Sequence, residues 1–310
     1  LSAFGPLSLL ALFALWAAGF ILGFAPLHRA AWPGDLSRAD ALYFSGTTFT
    51  TLGYGDLAPR SSVGRLLAVA EAGTGFGFFA LVIGYLPVLY QAVSRRETLI
   101  ALLDARAGSP PAAGRLLVRL PPGADGAPLG RFLEQAEVWA AELLEAQLSY
   151  PVLGFYRSQH DNQSWIAALT CMLDTCALLL TVAEGADPHQ ARLTFAMARH
   201  AAVDLALVLR RPPHAPPADR LPEGRLRELC AALKGAGVAV REDAVALAKL
   251  AELRGLYEPF VRAMASYFRL TVPDVWPEED RPDNWQTSAW MRRADPLTAL
   301  GADPKDDHFD

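Results

Sequence analysis

The stretch TTFTTLGYGDLAP, from Thr47 to Pro59, lies between two long apolar runs and holds two glycines at alternate positions. A loop inside a membrane must satisfy its backbone carbonyls, and one way is to make a cation their partner. Successive carbonyls can point toward one axis only if alternate residues adopt backbone angles that a Cβ disfavours. Gly53 and Gly55 stand at two such positions. The stretch therefore predicts a loop that binds cations through its backbone.

The apolar runs on either side of this stretch are each long enough to cross a membrane. Leu1 to Leu27 contains no charged residue, and Glu71 is the only ionisable side chain other than tyrosine in Leu66 to Val93. A helix needs about 20 residues to cross a hydrocarbon core. A signal peptide is the alternative for the first run, but its uncharged start and the aromatic residues Trp16 and Phe20 favour a span.

A short helix is predicted between the two spans. Pro33-Gly34-Asp35 marks a turn, and Asp35 or Ser37 can cap the helix that follows. Because this helix is too short to span, it must enter and return, which is tolerated only where protein or a water-filled cavity covers its backbone. The predicted membrane unit, residues 1–96, has a span over 3–27, the short helix over 38–50, the loop over 51–55 and a span over 63–93.

The residues Thr50 to Asp56, TTLGYGD, resemble the selectivity filter of tetrameric potassium channels. The order span, short helix, filter, span also resembles the two-transmembrane class of that family. The resemblance covers roughly Leu7 to Arg96, which is under a third of the chain. Two departures stand out: Leu52 occupies the place where the family most often has valine, and Tyr43-Phe44 occupies the place where some members carry paired tryptophans.

The resemblance implies a homotetramer in the lipid bilayer, with four copies of the loop around one axis. K+ ions would be coordinated by the backbone oxygens of Thr51, Leu52, Gly53, Tyr54 and Gly55, and also by the hydroxyl of Thr51. Asp56 would stand at the outer mouth. The C-terminus of the short helix would place partial negative charge at the cavity beneath the filter, where a cation must pause.

Several residues of the second span are candidates for gating or for supporting the filter. Gly75, within Gly73 to Gly77, is either a hinge that lowers the cost of bending or a small residue that allows close helix packing, and both uses stay open. Gly84 and Pro87 would let the helix bend again. Glu71 is an intramembrane carboxylate. Burying a charge in a membrane costs free energy, so a carboxylate at this position indicates a functional role. We expect it to brace the filter or to make conduction sensitive to pH.

The residues after the second span predict a separate helical domain. The stretch Ala107 to Ala127 is rich in Gly and Pro, which predicts a linker, with bounds at residues 97–127. Helical periodicity then predicts a bundle over 128–272, in which one helix covers 242–270. The apolar segment Cys171 to Ala183 is too short for a third span, so we expect a buried core helix. Residues 273–310 predict a polar tail.

The most polar stretch of this domain, Tyr156 to Trp165, suggests a ligand pocket. Arg157, His160 and Asp161 could form it, and a cytoplasmic small molecule or protein would be the regulator that it binds. The alternative is structural, because Ser158 followed by Asp161 resembles a capping box at the start of a helix.

Composition and motifs argue against two classes of function. The formal net charge of −5 and the lack of a dense basic stripe argue against a nucleic-acid partner. The sequence contains no nucleophile elbow, no H-E-x-x-H and no phosphate-cradling glycine loop, so we expect no enzyme activity and no organic cofactor. K+ ions in the filter are the bound groups that we expect.

The sequence thus predicts an all-α membrane protein: two transmembrane helices with a re-entrant pore helix and filter, plus a cytoplasmic α-helical bundle domain. We expect a multi-pass protein of the plasma membrane, with Arg95-Arg96 keeping the C-terminal domain cytoplasmic. Its function would be passive, K+-selective conduction, gated through the helical domain by an unidentified signal. The alternative is a membrane-anchored helical sensor or interaction protein with a weakly selective cation pore.

Overall fold

The computed structural model of the chain describes residues 4–123, 127–158, 162–185, 188–213 and 218–278. These residues form ten α-helices and one 3₁₀ helix, and they contain no strand. Two of the helices are long and apolar enough to cross a membrane. The predicted fold class, an all-α membrane protein, is confirmed. The chain divides into two compact units, with the boundary between residues 91 and 92.

The first unit, which we call the membrane unit, contains α1 (Phe4–Ala31), α2 (Arg38–Phe49) and the first part of α3 (Ser62–Ala107). α1 and α3 are the two helices that could cross a membrane. α1 ends four residues later than the predicted span, because His28 and Arg29 occupy its last turn, where basic residues favour the negative end of the helix dipole. α3 contains Pro87 without ending there, and it continues past residue 93, the predicted end of the second span.

α2 begins where its capping residue predicts. The Ser37 hydroxyl accepts the Asp40 N–H at 3.0 Å and donates to the Asp40 carboxylate at 2.7 Å, which satisfies one of the free donors at the helix start. The side chains of Ala41, Phe44, Ser45 and Phe49 are buried on one face of the helix.

The second unit is built around one fully enclosed helix. Its elements are the end of α3, α4 (Ala113–Arg119), α5 (Ala127–Ser149), a 3₁₀ helix (Pro151–Phe155), α6 (Trp165–Thr181), α7 (Pro188–Val208), α8 (Glu223–Gly235), α9 (Ala244–Gly255) and α10 (Glu258–Phe268). Every side chain of α6 except that of Leu180 is buried, Cys171 and Cys176 included. The expectation of a buried core helix at this segment is confirmed.

The predicted linker, residues 97–127, is largely part of the core of the second unit. Within it lie the end of α3 and all of α4, and both bury apolar side chains, namely those of Leu99, Ile100, Leu103, Leu116 and Leu117. Most of the Gly and Pro residues that suggested a linker lie in the two turns on either side of α4. Local composition indicated the turns correctly, but it could not show that the helices between them are covered by the rest of the unit.

Two further expectations for the second unit differ from the structure. The helix predicted over 242–270 is two helices, α9 and α10, which meet at Leu256 and Tyr257. Pro259, in the first turn of α10, has no N–H to donate to the Gly255 carbonyl, and its ring would clash with that carbonyl in a continuous helix. The predicted tail starts with packed residues, because Val275 is buried and its carbonyl accepts the Gly114 N–H at 3.0 Å. Residues 279–310 lie outside the described residues.

Candidate functional site

The loop after α2 alternates in backbone conformation. Thr51, Gly53 and Gly55 have φ angles of 58°, 52° and 83°, and all three lie in the left-handed region. The two glycines occupy the positions where the sequence required unusual backbone angles. Thr51 has the same conformation although it carries a branched side chain, for which a positive φ is a genuine outlier. Such strain clusters at functional sites, and sequence reasoning based on glycines alone missed it.

Carbonyls near the end of α2 hold this loop. The Gly46 carbonyl accepts both the N–H and the hydroxyl of Thr50, at 3.0 Å and 2.7 Å. The Thr47 carbonyl accepts the N–H groups of Leu52 and Gly53, at 2.9 Å and 3.3 Å. The carbonyls at a helix C-terminus otherwise have no partner within the helix. The position of α2 therefore sets the position of the loop.

Beyond the loop, the Asp56 side chain is bonded back to α2. It forms a side-chain hydrogen bond with Tyr43, whose hydroxyl is the donor. Tyr43 stands where some potassium channels carry a tryptophan. At this position the present chain has a tyrosine hydroxyl that bonds to Asp56. The side chains of Leu52 and Tyr54 are mainly exposed in the single chain, at 59% and 70%.

Glu71 is fully buried and pairs with side chains from both other helices of the membrane unit. Its Oε2 lies 2.6 Å from His28 Nε2 of α1, and its Oε1 accepts a hydrogen bond from the Ser45 hydroxyl of α2. The side chains of Glu71 and His28 have no exposed area. Sequence reasoning identified Glu71 but neither partner. A signal was present, because His28 and Ser45 are polar residues next to or within apolar segments.

The glycines of the second span differ in their surroundings. A Cβ on Gly75 would lie 1.8 Å from the Phe49 carbonyl oxygen, whereas a Cβ on Gly73, Gly77 or Gly84 would meet no described atom within 4 Å beyond the adjacent backbone of α3. Gly75 thus allows α3 to touch the end of α2. This contact favours close packing over a hinge at this position. Pro87 lies inside α3, which continues beyond it.

The end of α3 is anchored in the second unit by Arg96. Its guanidinium donates to the Leu153 carbonyl at 2.9 Å and to the Tyr156 carbonyl at 2.8 Å, and it also pairs with Glu97. Burial lowers the pKa of the Arg96 guanidinium, and the adjacent Glu97 opposes that shift. The indole N–H of Trp139 donates to the Arg96 carbonyl at 2.9 Å. The sequence signalled Arg96 only as a basic residue after a span.

The three residues of the predicted ligand pocket are not brought together by the described part of the chain. Arg157 donates to the carbonyls of Phe268 and Arg269, at 3.0 Å and 3.1 Å, and so satisfies acceptors at the end of α10. His160 and Asp161 lie outside the described residues. The alternative capping role of Ser158 is wrong, because Ser164 caps α6 through the Ala167 N–H. The Ser158 hydroxyl donates to Glu97 instead.

Comparisons with known proteins concern the membrane unit first of all. The ion channel family model matches residues 9–91, which contain α1, α2, the loop and most of the predicted second span. Human potassium voltage-gated channel subfamily KQT member 4 is 48% identical over 50 residues, which are 16% of this chain and 7% of that protein. The voltage-gated potassium channel of Aeropyrum pernix is 35% identical over 54 residues, which are 17% of this chain and 18% of that protein.

A longer similarity reaches into the second unit. The uncharacterized membrane protein YdjJ of Bacillus subtilis is 27% identical over 177 residues, which are 54% of this chain and 51% of that protein. The chain therefore spans about half the length of this relative, and far less of the two channels. No solved structure matches the chain. The similarity to the ion channel family thus covers residues 9–91, which lie within the membrane unit.

Proposed function

We propose that the chain is a K+-selective channel, in which four copies surround one pore and conduct K+ passively. The single observation that carries this proposal is the left-handed backbone at Thr51, Gly53 and Gly55, within a TTLGYGD loop held by a short helix between two spans. The names of the two similar channels, both potassium channels, support it. The proposal includes no catalytic step and no organic cofactor.

In this proposal K+ is the transported substrate. Backbone oxygens of residues 51–55 replace its hydration shell, and the Thr51 hydroxyl supplies the innermost ring. The negative end of the α2 dipole favours a cation in the cavity beneath. Asp56, held by Tyr43, stands at the outer mouth, where a negative charge raises the local concentration of cations.

Selectivity is tested by currents of the purified chain in planar bilayers that separate K+ from Na+ solutions. We expect the current to reverse near the K+ equilibrium potential. Reversal at the Na+ equilibrium potential would contradict K+ selectivity. Reversal midway between the two would favour a membrane-anchored sensor with a weakly selective cation pore.

Gly53→Ala is expected to reduce the K+ current at least tenfold, because a Cβ disfavours the left-handed backbone by about 1–2 kcal/mol and would shift the loop carbonyls. Gly34→Ala is the matched control. Gly34 also has a positive φ, of 97°, but it lies in the turn before α2, so this variant should keep the wild-type K+ current. Equal losses in both variants would mean that backbone strain, and not the loop itself, is responsible.

We further propose that the second unit lies in the cytoplasm and gates the pore through α3, which contributes residues to both units. Arg96 carries this proposal, because it ties α3 to the segment that contains Leu153 and Tyr156. That segment leads directly to the polar stretch where the sequence suggested a ligand pocket. A cytoplasmic small molecule or protein that changes the position of this segment would act on α3 through Arg96.

Arg96→Met is expected to leave the single-channel conductance unchanged and to alter the open probability at least tenfold. The variant removes the guanidinium hydrogen bonds to the Leu153 and Tyr156 carbonyls, and a hydrogen bond to a charged group is worth about 1.5–3 kcal/mol. Arg95→Met is the control, because Arg95 is exposed. Single-channel recording of both variants provides the measurement, and an unchanged open probability in Arg96→Met would argue against coupling through this residue.

A further inference from the structure

One polar cluster in the membrane unit joins all three of its helices. Glu71 of α3 lies between His28 of α1 and Ser45 of α2, with the contacts described above. The Ser45 hydroxyl also lies 2.9 Å from the Ile21 carbonyl of α1. The His28 ring packs edge-on against the Phe44 ring, at 4.8 Å between centroids. Each of the three polar side chains is therefore surrounded by protein.

The pairing of Glu71 with His28 removes the main cost of a carboxylate in this place. A charged carboxylate inside a membrane is expensive unless it has a partner. One proton held between Glu71 Oε2 and His28 Nε2, with a second on His28 Nδ1, leaves the pair without net charge. Without His28, Glu71 would keep the Ser45 hydroxyl as its partner among the described residues.

The Ser45 hydroxyl can stay bonded in either protonation state of Glu71. It has one hydrogen and two acceptors within reach, the Glu71 carboxyl and the Ile21 carbonyl. When Glu71 is ionised, the hydroxyl donates to Glu71. When Glu71 carries the proton on Oε1, the hydroxyl accepts from Glu71 and donates to Ile21. In both states Ser45 stays bonded to Glu71 of α3, and in the second state it is also bonded to Ile21 of α1.

Ser45 directly precedes the two residues that hold the loop. The Gly46 and Thr47 carbonyls accept the N–H groups of Thr50, Leu52 and Gly53. α2 is rigid over such a short distance, so a displacement of Ser45 moves both carbonyls. His28 thus contacts Glu71, and Glu71 contacts Ser45. The residues directly after Ser45, Gly46 and Thr47, carry the carbonyls that orient the loop.

We propose that His28 is a positioning residue for K+ conduction: it fixes Glu71, which fixes Ser45 and thereby the loop at residues 50–53. The inference rests on the proposed K+ channel function. It adds a contact from α1 that supports the filter, and it assigns Glu71 the bracing role. The outer helix α1 thus takes part in conduction without reaching the pore.

The test compares His28→Leu with His28→Gln in the full chain. Leucine fills a similar volume but offers no hydrogen bond to Glu71 Oε2. A glutamine amide, in contrast, can donate to that oxygen from nearly the place of His28 Nε2. We expect His28→Leu to lower the steady K+ current per channel at least tenfold and to reduce K+ over Na+ selectivity. We expect His28→Gln to recover at least half of the current, which a role in packing alone would not produce.

Ser45→Ala gives the same test if His28→Leu does not assemble, because it removes a single hydroxyl. Thr74→Val is its control, since the Thr74 hydroxyl donates within its own helix, to Ala70 at 2.8 Å. We expect the current per channel to fall in Ser45→Ala and to stay at the wild-type level in Thr74→Val. Wild-type currents per channel in both His28→Leu and Ser45→Ala would overturn the inference.

The wild-type reversal potential separates this inference from the proposed function. If the wild-type cation current does not reverse near the K+ equilibrium potential, the K+ channel proposal fails. The same variants can then be compared by the size of that cation current, which still decides whether His28 positions the loop. The absence of any cation current in the wild type would overturn both.

Discussion

Gly75→Ala is expected to abolish K+ flux and the assembly of a stable channel. The added Cβ would lie 1.8 Å from the Phe49 carbonyl oxygen and 2.7 Å from the Phe49 carbonyl carbon. Both atoms belong to the backbone, so no side-chain rotation can relieve the overlap. Phe49 itself is fully buried, and its ring packs 5.7 Å from those of Phe20 and Phe78. Either α2 or α3 would have to shift, and α2 holds the loop.

Gly77→Ala is the matched control for this variant. It places the same methyl group two residues further along α3, where the described part of the chain has no atom within 4 Å beyond the adjacent backbone of α3 itself. The yield of assembled protein from size-exclusion chromatography and K+ flux into liposomes give the two measurements. Equal yield and flux in the two variants would show that the approach of α3 to Phe49 does not matter for the channel.

Arg220→Met is expected to destabilise the second unit by about 3–5 kcal/mol, the usual result of removing one member of a buried ion pair. Arg220 donates to both oxygens of Asp174, at 2.7 Å and 2.8 Å, and to Glu258 at 2.7 Å. Its side chain is 3% exposed, and that of Asp174 is 1% exposed. Without the guanidinium, Asp174 would keep the Tyr257 hydroxyl as its partner among the described residues.

The surroundings of this cluster keep its charges in place. Burial acts to lower the pKa of Arg220, but the Asp174 carboxylate more than reverses that effect, so the pKa is raised overall. Burial and the charge of Asp174 raise the pKa of Tyr257, which keeps its hydroxyl protonated as a donor. Arg220 therefore compensates the charge of Asp174, and it shares Glu258 with Arg254, whose Nε donates to the same carboxylate at 2.8 Å.

Arg227→Met is the control for Arg220→Met. The Arg227 side chain is 76% exposed and lies 3.9 Å from Glu223, so its loss should change stability by at most about 1 kcal/mol. Denaturant unfolding of the full chain in detergent, followed through the buried Trp139 and Trp165, gives the comparison. Similar unfolding midpoints for the two variants would contradict the structural role of Arg220.

The parts of the site that follow from local rules could be predicted from the sequence. Gly53 and Gly55 were identified because carbonyl direction requires unusual backbone angles, and α2 begins at its predicted first residue because Ser37 caps it. Glu71 was identified because an intramembrane carboxylate is costly. The conformation of Thr51 was not predictable by the same rule, since only the surrounding structure can hold a branched residue at a positive φ.

The missed parts depend on contacts between residues far apart in the chain. His28 and Glu71 are separated by 43 positions, and Arg96 and Tyr156 by 60. A sequence pattern gives the cost of burying such a charge but does not name its partner. The predicted linker failed for the same reason, because the covering of Leu99 and Leu116 comes from helices that follow later in the chain.

The enclosure of α6 also determines when its thiols can react. Burial raises the pKa of Cys171 and of Cys176, so neither forms the nucleophilic thiolate while the second unit is closed. Cys230 on α8 is buried as well, and burial raises its pKa to about 11. Alkylation by a maleimide must therefore wait for local or global opening of this unit. The alkylation rate of the three native cysteines therefore reports how often this unit opens, and measuring it requires no introduced cysteine.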